Sequence, residues 1–554
     1  MIPIVCAEGD RQRARGMILW APRGAPVERW KPRIEMTKKD QMIMKRLGRV
    51  RALFGFLREK RHVIFDDAFQ DQLEQMYRRT GAGDEPHAPA FLCMVVLLQC
   101  YVGASDAEAV ELSVMDRRWQ LVLDCLDVEE PPFSQGALQA FRERMIEHDM
   151  DRVLLERTVV LVRDGAVTKG EGQQLSKAVR VAIDSRPLAG AGRVEDTLNL
   201  LGHAARLIVK SVSQILDREP EEICRKAGIP LLLSTSIKAG LDIDWSDPRQ
   251  KVAAIQTVER QVASLVRWVE KHLDDGIEAP LRQYLEAVTT IRDQDLEQAE
   301  GGLRIRQGVA ADRRISIEDP EMRHGRKSRS KRFDGFKEHV ALDLDAGAIV
   351  ACDVTPANRP EEEGAAPIAE DIARQGFTLR ELHIDRAYVT SPVVAAVVSN
   401  GGTVFAKPWA VRAPKPGLFS KADFYVDLRA KTITCPAGEV ESFEPGETVH
   451  FDPEVCGACP RRADCTQAAA GKGRSVSIAK DEAQQRKFRQ LQTTAPGRAK
   501  LRARVAVEHS LAHISARKGS CARYLGVRNN LFDLRRASSI QNLETVHRAY
   551  REAA

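Results

Sequence analysis

The sequence predicts a mixed α/β protein with an all-helical N-terminal domain, a helical insertion and a small cysteine-rich insertion. Three observations support this fold class. From about Met42 to Leu154 apolar residues recur at helical spacing, whereas runs such as Val179–Asp184 and Ile349–Val354 are typical of strands. In addition, four cysteines lie close together between residues 435 and 465, which is typical of a small metal-stabilised segment.

Length and composition restrict the kinds of protein that this chain can be. At 554 residues it is too long for one hydrophobic core and should form roughly two to four domains. The N-terminus lacks the apolar segment of a signal peptide, and the most apolar stretch, Ala90–Val102, is too short to cross a bilayer. We therefore expect a cytoplasmic protein without membrane contact, whose eleven cysteines are free or metal-bound.

The periodicity of apolar residues divides the chain into three predicted domains. Residues 1–80 are expected to be an extension followed by helices, partly disordered, and residues 81–160 a helical domain. Residues 178–554 form the predicted α/β domain. Because its first and second strands lie far apart in the sequence, we expect a helical insertion at 198–300; the cysteine-rich insertion is expected at 411–480.

The helical domain contains a candidate helix-turn-helix. Ser105–Glu108 has the spacing of a capping box, and Ser134 can cap a second helix after the break at Pro131–Pro132. That second helix carries Arg142 and Arg144, so it suits insertion into a DNA groove. A helix pair that only packs is an equally open alternative.

After the helical insertion, strands and helices are predicted to alternate. The insertion itself carries apolar residues at helical spacing, which favours core packing, with a dimerisation surface as the alternative. These apolar residues are Ile255, Val258, Val262, Leu265, Val266, Val269 and Leu273. The elements expected after it are strands at His339–Leu344 and Ile349–Val354, a helix at Glu361–Arg374, a strand ending at Asp385, a helix at Ser391–Ser399 and a strand at Thr403–Lys407.

Three carboxylates carry most of the functional information. Asp184 and Asp385 each end an apolar strand-like run, and Glu508 lies in a basic helical stretch. Mg²⁺ prefers such oxygen ligands, and two ions can clamp the attacking and leaving oxygens of a phosphoryl displacement. Taken singly, each acid has an ordinary interpretation as a solvated turn or surface residue. Together they predict a magnesium-dependent phosphoryl-transfer site.

Two segments concentrate basic residues, at 323–337 and at 498–536. The first holds seven Lys or Arg against one acid, and the second holds ten against two. Such density near a candidate metal ligand favours contact with a phosphate backbone, and a solvated protein face is the alternative. The candidates for this contact are Arg326, Lys327, Arg329, Lys331, Arg332, Arg502, Arg504, Arg517 and Lys518.

The spacing around Glu508 assigns a specific task to Arg504. On one continuous helix, Leu501, Arg504, Glu508 and Ser515 would share a face. Arg504 could then hold a phosphate oxygen or orient the Glu508 carboxylate. The alternative is a surface ion pair between residues four apart, which contributes little.

Four cysteines predict a second metal site of a different kind. Cys456 and Cys459 form a CxxC pair, Cys435 precedes it and Cys465 follows it. Four thiolates suffice for a tetrahedral structural zinc site, and four free cysteines in a core are the alternative. The remaining cysteines are scattered and are expected to be small core residues. They are Cys6, Cys93, Cys100, Cys125, Cys224, Cys352 and Cys521.

Several of these segments together resemble a known family. The segments are residues 183–197 around Asp184, residues 323–337, Val354–Asn358 and residues 504–511 around Glu508. In this order they strongly resemble the DDE transposases of bacterial insertion sequences, and the likeness covers about residues 89–543. The resemblance implies a ribonuclease-H-like fold, that is, a mixed sheet flanked by helices. It also implies DNA cleavage at insertion-sequence ends and strand transfer into target DNA.

The same resemblance implies cofactors and partners. Asp184, Asp385 and Glu508 would be the catalytic triad holding two Mg²⁺ or Mn²⁺ ions, with Asn358 and His509 as candidates for supporting contacts. The partners would be terminal inverted repeats, target DNA and a second copy of the chain in a synaptic complex. The protein would be nucleoid-associated in a bacterial cytoplasm. The cysteine-rich segment and the N-terminal helical domain are similar to those of related transposases.

Two departures from the family pattern keep other functions open. Related transposases often carry a Tyr and a Lys where this chain has Leu501 and Ser515. A catalytically inactive or domesticated descendant that binds DNA as a repressor is therefore one alternative. A metal-dependent nuclease on the same fold is another, because a fold alone does not determine function.

Overall fold

The structure is a computed structural model of the chain and describes residues 27–48, 52–77, 86–167, 175–273, 277–300, 302–328, 330–469 and 471–553. By its contacts the chain forms two compact units. The first consists of residues 1–98 and 105–148, and the second of residues 99–104 and 149–554. Residues 1–26, part of the extension that we expect to be partly disordered, lie outside the described residues.

The described part of the first unit is helical. Its helices are α1 (Lys38–Arg46), α2 (Ala52–Ile64), α3 (Asp67–Glu74), α4 (Pro89–Val102), α5 (Asp106–Met115), α6 (Arg117–Leu123) and α7 (Gln135–Glu147). The predicted capping box is confirmed, since Ser105 accepts from the Glu108 amide and Glu108 accepts from the Ser105 amide. Ser134 caps α7, as expected.

Helix α4 is apolar on every side because it is a core helix. Its residues from Leu92 to Leu98 are almost completely buried. Within the described residues, no single helix is long and apolar enough to cross a membrane. Helices α4 and α5, bent by 101° between them, meet those criteria of length and composition only as a pair.

The second unit contains the remaining helices and all the described strands. The helices are α8 (Met150–Val167), α9 (Thr197–Leu216), α10 (Pro220–Lys226), α11 (Ile237–Leu241), α12 (Pro248–His272), α13 (Leu281–Asp295), α14 (Ala365–Arg374), α15 (Pro392–Ser399), α16 (Pro453–Ala458), α17 (Arg462–Cys465), α18 (Glu482–Thr493), α19 (Ala495–Arg502), α20 (Val505–Lys518) and α21 (Val527–Ala553). The strands are β1 (Ala178–Ala189), β2 (Leu296–Ala299), β3 (Gly302–Ile305), β4 (Arg323–Arg326), β5 (Arg332–Asp343), β6 (Ile349–Pro356), β7 (Thr378–His383), β8 (Thr403–Phe405), β9 (Tyr425–Asp427), β10 (Thr432–Thr434), β11 (Val440–Ser442), β12 (Thr448–His450) and β13 (Ser475–Ser477).

A six-stranded mixed sheet forms the centre of this unit. Strand β5 pairs antiparallel with β1 on one side and with β6 and β4 on the other, while β1, β7 and β8 are parallel neighbours. Helices α8, α14 and α21 pack on β6, and α20 packs on β1 and β5. The mixed α/β class predicted from the sequence is confirmed.

Strand β1 is longer than the sequence predicts. The apolar run ends at Asp184, but the strand continues to Ala189 because β5 provides a partner as far as Gly335. Leu188, opposite Phe336, is fully buried and anchors this extension. Asp184 therefore lies within β1 rather than at its end.

A helical segment lies between β1 and the next strands of the main sheet. Helices α9–α13 share a core of their own, and the predicted apolar stripe on α12 belongs to it. Of that stripe, Val262, Leu265 and Val269 are almost fully buried, so the prediction of core packing is confirmed. The hairpin β2–β3 at the end of this segment was not predicted.

The cysteine-rich segment forms a small β structure. Strands β9, β10 and β11 make one sheet, β12 and β13 pair separately, and α16 and α17 carry the CxxC region. Its core consists of Phe424, Ile433, Phe443, Val449, Phe451, Val476 and Ile478.

Candidate active site

Asp184 lies on β1, and Asp385 lies just after the end of its parallel neighbour β7. In the β1–β7 register, Val181 pairs with Leu382 and Ala182 pairs with His383, so paired residues are 201 positions apart in the sequence. Asp184 and Asp385 are also 201 positions apart. Asp385 follows β7 and accepts the Arg386 amide at 2.8 Å, which starts a short 3₁₀ turn. The sheet therefore brings together two acids that are remote in the sequence.

Helix α20 brings Glu508 to the same place. Val507, Leu511 and Ile514 recur at helical spacing and are buried, so this face packs α20 onto β1 and β5. Glu508 follows the first of them, and its side chain is 45% exposed. The carboxylate therefore lies at the edge of the packed face.

Arg504 connects the acids of β1 and α20. Its Nη1 donates to Asp184 Oδ2 at 2.8 Å, and its Nη2 donates to Glu508 Oε1 at 2.5 Å. Arg504 lies between α19 and α20 as the N-cap of α20. The continuous helix predicted over Leu501–Ser515 is thus wrong, because the chain turns at 503–504 and Leu501 belongs to α19.

The electrostatics of Asp184 also reflect the nearby acids. Burial raises its pKa above the ordinary value, and the charges of Glu508 and Asp385 act in the same direction. Arg504 and the Ser185 amide act in the opposite direction. Three acids and one guanidinium therefore form one interacting group.

This group supplies the ligand chemistry of a hard divalent cation. All of its donors are carboxylate oxygens, which Mg²⁺ and Mn²⁺ prefer. Among the described residues, no three His, Cys, Asp or Glu side chains converge closely enough to hold an ion. Here the guanidinium of Arg504 already lies between Asp184 and Glu508, so the position accommodates positive charge. The donor set fits a divalent cation that would take over this charge.

The four cysteines of the small β structure line one cavity. Cys435, Cys456, Cys459 and Cys465 border a space of about 30 Å³, large enough for a single ion. The Ala437 amide lies 3.3 Å from Cys435 Sγ, and the Arg474 amide lies 3.5 Å from Cys456 Sγ. Such N–H donors suit thiolate sulfurs, and four thiols are the residue types of a structural zinc site, although in this arrangement they do not converge closely enough to hold an ion.

Residues 434–547 match a family described as the transposase DDE domain. The resemblance to DDE transposases is confirmed. The matched region begins at β10 and includes the four cysteines, Arg504 and Glu508, whereas Asp184 and Asp385 precede it. No curated protein and no solved structure gives a significant match to the chain. Transposase DDE domains act on DNA, and exposed basic residues are the side chains that can contact its phosphates.

The basic hairpin between β4 and β5 is exposed. Arg326, Lys327, Lys331 and Arg332 lie at the connection between β4 and β5, and all four are exposed. Arg329 lies outside the described residues. Arg502, the last residue of α19, is also exposed. These positions suit phosphate contact.

Two residues at the end of α20 that were predicted to contact DNA have ion-pair partners within the protein. Arg517 Nη2 donates to Glu544 Oε2 at 2.7 Å. Lys518 is buried, with its Nζ 2.5 Å from Glu338 Oε1 and 2.9 Å from Asp533 Oδ2. The expectation that Lys518 contacts DNA does not fit this position, because tertiary packing has removed its ammonium from solvent.

In the first unit, both arginines of the candidate recognition helix have partners. Arg142 forms two hydrogen bonds of 2.8 Å to the Asp106 carboxylate. The Arg144 guanidinium lies over the Tyr77 ring, 4.8 Å from its centre. Their predicted role in DNA binding stays a prediction.

The two residues expected to support the triad differ in position. Asn358 donates to the Ala311 carbonyl at 3.0 Å and to Asp312 Oδ1 at 2.9 Å, so it holds a neighbouring loop. His509 is exposed on α20. Neither position itself indicates a contact with the acids.

A buried polar pair near Asp184 was missed by the sequence analysis. His339 Nδ1 lies 2.7 Å from Tyr388 Oη, and Tyr388 also forms a hydrogen bond with Ser185. Burial lowers the pKa of His339 to about 3, so its ring is neutral. Tyr388 follows Asp385 by three residues, and this spacing is the only signal that the sequence offered.

Proposed function

We propose that the chain is a DNA transposase that cleaves insertion-sequence ends and transfers the freed strand into target DNA. The observation that carries this proposal is the arrangement of three acids. Asp385 follows the strand that runs parallel to the strand of Asp184, the charges of the two acids interact, and Arg504 links Asp184 to Glu508. Acids brought together from distant segments suit metal-assisted phosphoryl transfer.

The strand order supports a ribonuclease-H-like catalytic domain. Strands β6, β5, β1, β7 and β8 lie side by side in that order, with β6, β5 and β1 antiparallel and β1, β7 and β8 parallel. The resemblance implies the same mixed sheet flanked by helices. In such a sheet the first and fourth strands place their acids next to each other.

The chain's own residues have distinct tasks in this proposal. Asp184, Asp385 and Glu508 would hold two Mg²⁺ or Mn²⁺ ions, which when bound activate the attacking oxygen and stabilise the leaving one. Arg504 neutralises Asp184 and Glu508 while no metal is bound and, once a metal takes over that charge, is placed to receive a phosphate oxygen. The exposed hairpin cations hold the DNA backbone. The first unit reads the terminal repeats.

Three further features belong to the same proposal. The four cysteines bind one structural zinc ion. Two copies of the chain form the complex that joins the two element ends, since both ends must be processed together. The protein acts at the nucleoid of a bacterial cytoplasm.

Charge-removing, size-preserving variants test the catalytic assignment. Asp184→Asn, Asp385→Asn and Glu508→Gln should each retain end binding but lose cleavage and strand transfer by at least about a thousandfold. Asp345→Asn and Glu544→Gln, acids on the surface of the same unit, are the matched controls and should remain active. Near-normal strand transfer by a triad variant removes that residue from the triad.

The same assays distinguish the alternative functions. Wild-type protein that binds ends but never cleaves them is a repressor. Wild-type protein that cleaves but cannot join a pre-cleaved end to target DNA is a nuclease. Joining by the wild type, lost in the triad variants, supports the transposase.

A further inference from the structure

Glu338 is a buried carboxylate between the strand of Asp184 and the helix of Glu508. It lies on β5 directly opposite Arg186 of β1 and is completely inaccessible to solvent. Its Oε2 accepts from Arg186 Nε at 2.6 Å, and its Oε1 accepts from Lys518 Nζ at 2.5 Å. A buried charge is costly unless it is paired, and here two cations share one acid.

The two cations belong to the elements that carry the catalytic acids. Arg186 follows Asp184 by two residues, so both side chains lie on the same face of β1. Lys518 is the last residue of α20, the helix of Glu508. Glu338 therefore connects β1 to α20 at the end of the helix remote from Arg504.

Backbone hydrogen bonds strengthen the same connection. The Ala189 amide donates to the Ser520 carbonyl at 2.9 Å, and the Ala522 amide donates to the Ala189 carbonyl at 2.7 Å. Arg186 Nη1 also donates to the Gly519 carbonyl at 3.1 Å. Gly519 has a φ of 81°, which lets the chain leave α20 and turn onto β1.

The lengths of α20 and β1 explain why contacts at the ends of these elements affect the relative position of Glu508 and Asp184. The helix rises about 15 Å over the ten residues from Glu508 to Lys518. The strand rises about 17 Å over the five residues from Asp184 to Ala189. Because these spans nearly agree, the backbone hydrogen bonds between Ala189 and residues 520–522 keep Glu508 level with Asp184, and Glu338 holds Arg186 and Lys518 together just before that junction.

We propose that Glu338 is a positioning residue that sets the placement of Glu508 relative to Asp184 through Lys518 and Arg186. This inference rests on the proposed function, which makes those acids catalytic. Glu338 itself is completely buried and therefore does not contact a substrate. Lys518 retains Asp533 as a second partner, 2.9 Å away, so its charge stays paired when Glu338 is neutralised.

The test compares Glu338→Gln with Asp343→Asn. Asp343 is a matched control because it also lies on β5, is fully buried and forms an ion pair, but its partner is Arg163 of α8. Glu338→Gln should lower kcat for end cleavage about a hundredfold while KM for end DNA stays within about twofold. Asp343→Asn should lower the melting temperature similarly and keep kcat within about threefold of wild type.

A conservative rescue and a readout independent of activity complete the test. Lys518→Arg, which keeps the cation, should retain at least about ten times the kcat of Lys518→Met. Hydrogen exchange in Val505–Lys518 should accelerate in Glu338→Gln and not in Asp343→Asn. Unchanged kcat and exchange in Glu338→Gln, or equal kcat losses in both variants, overturn the inference.

The exchange measurement also separates this inference from the proposed function. If the wild-type protein neither cleaves nor joins DNA, the transposase proposal fails. The rate of hydrogen exchange in α20 still shows whether Glu338 holds that helix in place. If the wild type is active and Glu338→Gln is equally active, only the positioning role fails. If Glu338→Gln does not fold, the comparison between the two Lys518 variants decides the question.

Discussion

Arg504 and Asp184 are separated by 320 residues in the sequence, yet Arg504 Nη1 lies 2.8 Å from Asp184 Oδ2. The same guanidinium binds Glu508, so one cation neutralises two acids that would otherwise repel each other. Such neutralisation is the electrostatic task of a divalent ion at these carboxylates. Arg504 and a metal ion therefore compete for the same position.

The first prediction concerns this competition. Arg504→Ala should bind Mn²⁺ about tenfold more tightly than wild type in the absence of DNA, because one competing positive charge is removed. Titration of Mn²⁺ followed by electron paramagnetic resonance measures the affinity. Arg502→Ala, which changes an exposed neighbour, is the control and should bind as wild type. Unchanged or weaker binding by Arg504→Ala would show that Arg504 supports the site instead of occupying it.

The second prediction is a pH dependence of stability. Burial raises the pKa of Asp353 from 3.8 to about 7. Between about pH 4 and pH 7 the folded protein therefore retains a proton that the unfolded chain loses. The stabilising contribution of protonated Asp353 to the free energy of unfolding is complete below about pH 4 and is lost as the pH rises through 7. Asp353→Asn should unfold at a higher urea concentration than wild type at pH 8, with little difference at pH 4. A difference that does not vary with pH would contradict the raised pKa.

The third prediction concerns zinc. Protein purified under reducing conditions should contain about one zinc ion per chain, because four thiols line one small cavity. Replacing Cys456 and Cys459 with Ser should release the metal and destabilise the segment around β9–β13. Cys521→Ser, at an exposed cysteine outside the cluster, should keep it. Zinc retained by the double variant would place the site elsewhere.

The fourth prediction separates DNA reading from folding in the first unit. Arg142→Ala and Arg144→Ala should weaken binding to the element's own ends more than to unrelated DNA, as measured by competition binding. Asp106→Ala is the matched control, because it removes the ion pair of Arg142 and keeps the arginine. An equal loss of end binding in Asp106→Ala would mean that the pair only holds the helices together.

The fifth prediction assigns nonspecific DNA affinity to the basic hairpin. Replacing Arg326, Lys327, Lys331 and Arg332 with Gln should weaken binding to all sequences alike. The slope of log affinity against log salt should fall by about three to four, since each lost phosphate contact contributes about 0.9. The control replaces four exposed cations of α12, which should leave the slope unchanged. They are Arg249, Lys251, Arg267 and Lys271.

The main strands were predictable because they are apolar and buried. Val179, Val181 and Ile183 of β1 and Val350 and Val354 of β6 are almost inaccessible to solvent. Strands β2, β3 and β4 escaped prediction because they form exposed hairpins, whose polar residues lack this pattern. Pairing in these hairpins depends on local backbone hydrogen bonds rather than on burial.

The candidate site was only partly predictable for a related reason. Acids that follow an apolar run, such as Asp184 and Asp385, are conspicuous in a sequence. Lys518 is not, because its partner Glu338 lies 180 residues away and a lysine in a basic segment resembles a surface charge. A sequence does not show which charged residues form a buried ion pair, because the tertiary fold determines which of them meet.

The connectivity of β1 has a consequence for the order of folding. Its neighbours β5 and β7 and the helix α20 are all far downstream, and the Arg504–Asp184 contact closes a loop of 320 residues. At a synthesis rate of about 5–20 residues per second, roughly 16 to 64 s pass between the emergence of Asp184 and that of Arg504. Strands β5 and β7 emerge partway through that interval, whereas α20 follows only at its end. The newly made chain therefore brings its three acids together only near the end of synthesis, as one of its last folding events.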